Sequence, residues 1–123
     1  MANIVYHRRS GELDINGTTV TRRGYAGAVA CRNNPAMEHV RNCGPLPRGT
    51  YTMEYIGFYK GPHTIRLYPS PGNEMYGRSG FLIHGDSLEN PGTASEGCII
   101  LERKIRKRLL QQIRIGNDRL EVR

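Results

Sequence analysis

The chain has 123 residues, 37% of them hydrophobic, which is enough for one core and one domain and excludes a multidomain machine. No apolar run approaches the roughly 20 residues that span a bilayer, and residues 1–9 carry no signal-peptide pattern, so cytoplasmic residence or export without a cleaved signal is expected. A formal charge of +7 suits an acidic partner, nucleic acid or an anionic cell wall, and charge alone does not choose between them.

Residues 3–23 alternate apolar and polar types and break at Ser10-Gly11 and Asn16-Gly17. Asn-Gly favours a type I′ turn because both central residues need positive φ. The pattern predicts a meander of strands over 3–9, 12–15 and 18–22. Next, Asn33-Asn34-Pro35-Ala36-Met37 supplies a capping Asn and a Pro at the first helical position, which predicts a short helix near 34–41. Asn42 to Gly49 is a Gly- and Pro-rich loop. It delivers a strand from Thr50 to Ile56, with Tyr51, Met53 and Tyr55 on one face. A further strand, His63 to Tyr68, follows the Gly61-Pro62 turn. Pro69 to Gly80 lacks periodicity and sits directly before an apolar run, so it reads as the wall or lid of a groove. Beyond residue 98 the period changes: Leu101, Ile105, Leu109 and Ile113, with Leu110 beside them, mark an amphipathic C-terminal helix. Its basic face, within Arg103-Lys104-Ile105-Arg106-Lys107-Arg108, reads as a solvated surface. Gly116-Asn117-Asp118 stops the helix and Leu120-Glu121-Val122 closes as a strand. The fold class is mainly β (α+β).

Three cysteines are present. His39 and Cys43 stand four apart, but no second pair completes a zinc site, so no metal and no cofactor is expected. Cys31 and Cys43 either bridge in an oxidising compartment or pack as thiols. Spacing does not show proximity, and the expectation is three reduced cysteines.

The chemistry concentrates in Phe81-Leu82-Ile83-His84-Gly85-Asp86-Ser87 and Ala94-Ser95-Glu96-Gly97-Cys98-Ile99-Ile100-Leu101. Each block is a short apolar run, and turn-rich sequence links them, so they read as paired strands. Pairing sets His84 and Cys98 together, where an imidazole can activate a thiol. Gly97 lets the chain turn tightly before the sulfur, and the N–H groups there suit a developing oxyanion. The plainer alternative is a buried strand cysteine and an ordinary polar histidine.

His-Gly followed by Ser-x-Gly-Cys-Ile-x-Leu is similar to the signature of L,D-transpeptidase (YkuD-type) domains. Glu96 stands where those carry a second His, and Ile100 where they carry Arg. Gly24-Tyr25-Ala26-Gly27, Asn33–Met37, Gly44-Pro45-Leu46-Pro47-Arg48-Gly49-Thr50-Tyr51, Gly77–Asp86 and Ala94–Leu101 resemble more closely the compact L,D-transpeptidase-like effectors exported by type VI secretion systems. The resemblance implies a compact β-sandwich or meander forming one catalytic domain over 1–123. It implies a peptidoglycan tetrapeptide stem as substrate, an immunity protein and a secretion-system carrier as partners, and action in the periplasm of target bacteria, with neither nucleic acid nor membrane as partner. Cys98 becomes the nucleophile, a thiolate paired with a His84 imidazolium, and the Gly85 carbonyl orients that ring. The Gly97 and Cys98 amides form the oxyanion site and Ser95 fixes the turn. Arg78 and Ser79 are expected to read substrate carboxylates, with Asp86 and Glu96 beside them; for Asp86 a turn cap is an equal alternative. The rival reading is a non-catalytic basic module that binds nucleic acid or cell wall.

Overall fold

A computed structural model of the chain describes residues 2–114 and 119–123. The N-terminal meander forms β1 (Ile4–His7), β2 (Glu12–Ile15) and β3 (Thr18–Thr21). Asn16 and Gly17 turn between β2 and β3 at φ 52° and 81°, the paired positive values a type I′ turn requires. Then come β4 (Tyr25–Ala26), β5 (Gly49–Gly57), β6 (Thr64–Pro69), β7 (Leu82–His84) and β8 (Ile99–Ile100). Helix α1 (Arg103–Arg114) and β9 (Arg119–Val122) complete the described elements. The expected helix stop at Gly116-Asn117-Asp118 lies outside the described residues.

The strands form one continuous sheet in the order β3-β2-β1-β9-β5-β6-β7-β8-β4. Strand β9 enters parallel to β1, with Ile4 opposite Leu120, and antiparallel to β5, with Gly49 opposite Val122. Nine strands spaced by about 4.8 Å would span close to 40 Å if flat. Yet Leu13, Ile4, Leu120, Tyr51, Ile65, Ile83 and Ile99, drawn from seven of them, share one buried cluster. The sheet therefore curls around its core, and Ile105, Leu109 and Leu110 of α1 pack into the same cluster. Tyr51 and Met53 face inward as the alternation predicts, whereas Tyr55 is 47% exposed. Tyr55 still pairs with Ile65 in register, and the β-bulge comes only after it, between Tyr55 and Gly57.

Two expectations change. The helix near 34–41 is only a 3-10 turn at Pro35–Met37, capped by the Asn34 side chain, which accepts from the Ala36 amide. It buries no residue, so nothing rewards further turns. Cys31 and Cys43 are also disulfide-bonded, with Cα atoms 5.4 Å apart, which corrects the reading of three reduced thiols. Loop contacts bring them together: the Ala28 amide donates to Cys43 O and the Cys31 amide to Ala28 O, both at 2.8 Å. No hydrophobic period encodes such contacts. Engaged in the disulfide, the Cys43 sulfur is not available to a metal beside His39.

Candidate active site

Strands β7 and β8 lie side by side and parallel, with Ile83 opposite Ile99 and His84 opposite Ile100. Parallel neighbours need a crossover, and residues 85–98 provide it without a helix. Ile83 and Ile99 turn to the core, so the alternate positions, His84 and Cys98, share the opposite face. Both line one cleft of about 410 Å³.

His84 is 3% exposed, and its Nδ1 lies 2.9 Å from Gly85 O. A carbonyl only accepts, so Nδ1 carries the proton and Nε2 is left with its lone pair. Nε2 is buried and has no hydrogen-bond partner. The ring is thus held in the tautomer that can take a proton. Cys98 Sγ accepts a bond from the Leu82 amide at 3.3 Å. Burial pushes the thiol pKa up, and the Leu82 amide, Lys60 and Arg78 only partly offset this. Burial also pushes His84 down, with Lys60 and Arg106 adding to the effect and the Gly85 carbonyl opposing it. Both shifts favour an uncharged pair at rest. These directions run against the thiolate–imidazolium pair expected from the resemblance.

The turn before the sulfur is held from several sides. Ser95 is 3% exposed; its hydroxyl donates to Cys98 O at 2.6 Å and accepts the amides of Gly27 and Gly97 at 2.9 and 3.0 Å. That occupies the Gly97 amide, so of the two expected oxyanion donors the Cys98 amide remains. Gly97 sits at φ +152°, and a Cβ there would stand 2.7 Å from Arg78 Nη2 and 2.8 Å from Phe81 Cε1. Gly97 O accepts the Leu46 amide at 3.0 Å.

Arg78 was expected to read a substrate carboxylate. It lines the cleft, but its guanidinium is mostly buried beneath the turn and donates to four backbone carbonyls, those of Glu38, Gly44, Pro45 and Glu96. Ser79 and Glu96 are exposed at the cleft, joined there by Arg41 and Lys60, which sequence reasoning missed. Isolated cations in irregular loops carry no signal that could have found them. The Asp86 carboxylate accepts Tyr25 Oη at 2.6 Å and the amides of Ser87 and Gly92, so it organises the crossover loop as a turn cap. Arg106, taken for part of a solvated face, is buried: Nε donates to Leu101 O, Nη1 bonds Pro62 O, and Nη2 packs against Gly85. Glu38 was also missed; its carboxylate pairs with buried Arg8 at 2.6 Å and accepts the Arg48 amide and Tyr76 Oη.

A mainly β domain with a thiol and an oriented imidazole in one cationic cleft is the class of protein that fold and site define. The Tlde1 domain model matches residues 21–122, and the chain belongs to this family of type VI secretion effectors. No curated protein matches the chain. Among the described residues, no helix is long and apolar enough to cross a membrane.

Proposed function

We propose that the protein is a cysteine acyl-transferase and hydrolase of bacterial peptidoglycan, acting on tetrapeptide stems as an antibacterial effector with an L,D-transpeptidase-like arrangement of its site. The observation that carries this is the buried, unpartnered Nε2 of His84, held in the basic tautomer in the same cleft as Cys98. As Cys98 attacks the carbonyl of the third stem residue, its proton passes to His84 Nε2 and a C–S bond forms. The Cys98 amide faces the developing oxyanion. The C–N bond to the terminal D-alanine then breaks, and His84 returns its proton to the leaving amine. Water, or the amine of another D-amino acid, attacks the thioester; its proton passes to His84 and the thiol is restored. Water makes the protein an L,D-carboxypeptidase and an amine makes it an exchange transpeptidase.

Exposed Arg41 and Lys60 at the cleft supply the charge for stem carboxylates, beside Ser79 and Glu96. Family membership makes an immunity protein and a secretion-system carrier the expected partners, and the periplasm of a competitor the expected place of action. The test is mass spectrometry of a disaccharide-tetrapeptide after incubation with wild type, Cys98→Ala and His84→Ala, with and without D-methionine. Wild type removes D-alanine or replaces it, Cys98→Ala does neither, and His84→Ala is at least about 100-fold slower. Unchanged substrate with folded wild type refutes the proposal and moves belief to a basic binding module, tested by salt-dependent DNA retention.

A further inference from the structure

The guanidinium of Arg78 is a buried cation that makes no ion pair among the described residues. The residue is 7% exposed, and its bonds to the carbonyls of Glu38, Gly44, Pro45 and Glu96 run from 2.5 to 3.2 Å. The Phe81 ring lies 5.1 Å away. Carbonyl dipoles solvate a charge without cancelling it, and buried cations are ordinarily paired.

A negative charge at Cys98 would supply the missing partner. Nη2 comes so close to Gly97 that a Cβ there would stand 2.7 Å from it, and the next residue is Cys98. The Leu82 amide bonds the sulfur, Lys60 and Glu96 act on it through their charges, and His84 lines the same cleft. Lys60 favours the anion at least as strongly as Arg78, but it and Glu96 are exposed and open to screening, whereas Arg78 is buried and acts on the sulfur through protein. The same head bonds Gly44 O and Glu96 O, fastening the loop behind the cleft to the nucleophile turn.

We propose that Arg78 is a positioning residue for Cys98. Its fixed charge stabilises the anion that appears on Sγ as the proton passes to His84, and its fork holds the turn that aims the sulfur. The inference rests on Cys98 as the nucleophile, but its readout does not require peptidoglycan turnover. The rate of Cys98 alkylation by iodoacetamide is measured from pH 6 to 9 on wild type, Arg78→Gln and Arg78→Lys, with folding checked by circular dichroism. The disulfide leaves Cys98 as the free thiol among the cysteines.

Below its pKa a thiol reacts in proportion to its thiolate fraction, and losing a neighbouring opposite charge moves a pKa by one unit or more. Arg78→Gln is therefore expected to react about tenfold more slowly at every pH, and Arg78→Lys within about threefold of wild type. With the stem substrate, Arg78→Gln lowers kcat and leaves KM nearly unchanged. An equal or faster alkylation rate in folded Arg78→Gln overturns the proposal, as does a raised KM with an unchanged alkylation profile, the signature of a carboxylate reader. Should Arg78→Gln fail to fold, Arg78→Lys carries the test, and a tenfold slowing in that charge-retaining variant overturns it. The expected alkylation pattern with no turnover by wild type would support the role of Arg78 while refuting the peptidoglycan reading.

Discussion

Replacing both Cys31 and Cys43 with Ala removes a cross-link between residues 12 apart in sequence. In the chain-entropy treatment, closing a loop of that size restricts the unfolded ensemble by roughly 3 kcal/mol. Unfolding a chain of this length carries a melting entropy on the order of 0.26 kcal/mol/K, so the loss lowers Tm by roughly 10 °C. Both cysteines lie in loops that already bond through the Cys43 carbonyl and the Cys31 amide, so the native backbone gives little extra cost when the sulfurs go. The assay is thermal denaturation by circular dichroism of wild type and the double variant, each with and without a phosphine reductant. Oxidised wild type should melt highest, reduced wild type should approach the double variant, and the double variant should ignore the reductant. If oxidised and reduced wild type melt within about 2 °C of each other, the cross-link contributes nothing and the reasoning fails.

Gly97→Ala forces a Cβ to within 2.7 Å of Arg78 Nη2 and 3.1 Å of Gly44 O at a φ of +152°, so a stability loss of about 2 kcal/mol is expected in urea denaturation, with turnover falling at least tenfold. Because burial holds His84 below its usual 6.5, the unfolded chain binds the proton first as pH falls; stability linked to His84 is therefore present above about pH 6.5 and lost below it. Cys98 is raised above its usual 9.0, so the stability linked to its protonated form is present below about pH 9 and lost as pH rises past the folded-state value. Turnover should accordingly be flat between about pH 6.5 and 9, where the pair holds one transferable proton, and a steep rise across that interval in a pH–rate profile would contradict the directions of these two shifts. Arg106→Met removes a cation that disfavours protonated His84, so the ring's pKa, followed by NMR, should move up; an unmoved value would show that Arg106 acts on packing alone.

Much of this architecture was legible where a local rule decides structure. The Asn16-Gly17 turn, the alternation through Tyr51 and Met53, the Asn34-Pro35 cap and the four-residue period from Leu101 each state a backbone geometry in adjacent residues. Strand β4 was not legible, because two residues have no period; Tyr25 and Ala26 become a strand by pairing with Ile100 and Ile99. The juxtaposition of His84 and Cys98 could be read from two apolar runs, but not that the strands run parallel, since that depends on the path of the crossover loop. The buried arginines were hidden for a different reason. Arg8, Arg78 and Arg106 are indistinguishable by composition from the solvated Arg and Lys around them. Carbonyls of loops far away in sequence, or in one case Glu38, draw them inside.

Strand β9 also dictates when this domain can fold. Among the described strands it alone pairs with both the β1–β3 meander and the strands that carry the cleft, yet it follows every other described element in the chain. On a ribosome, the sheet stays divided between β1 and β5 until residues 119–122 appear. Until then each half presents a bare strand edge open to mispairing.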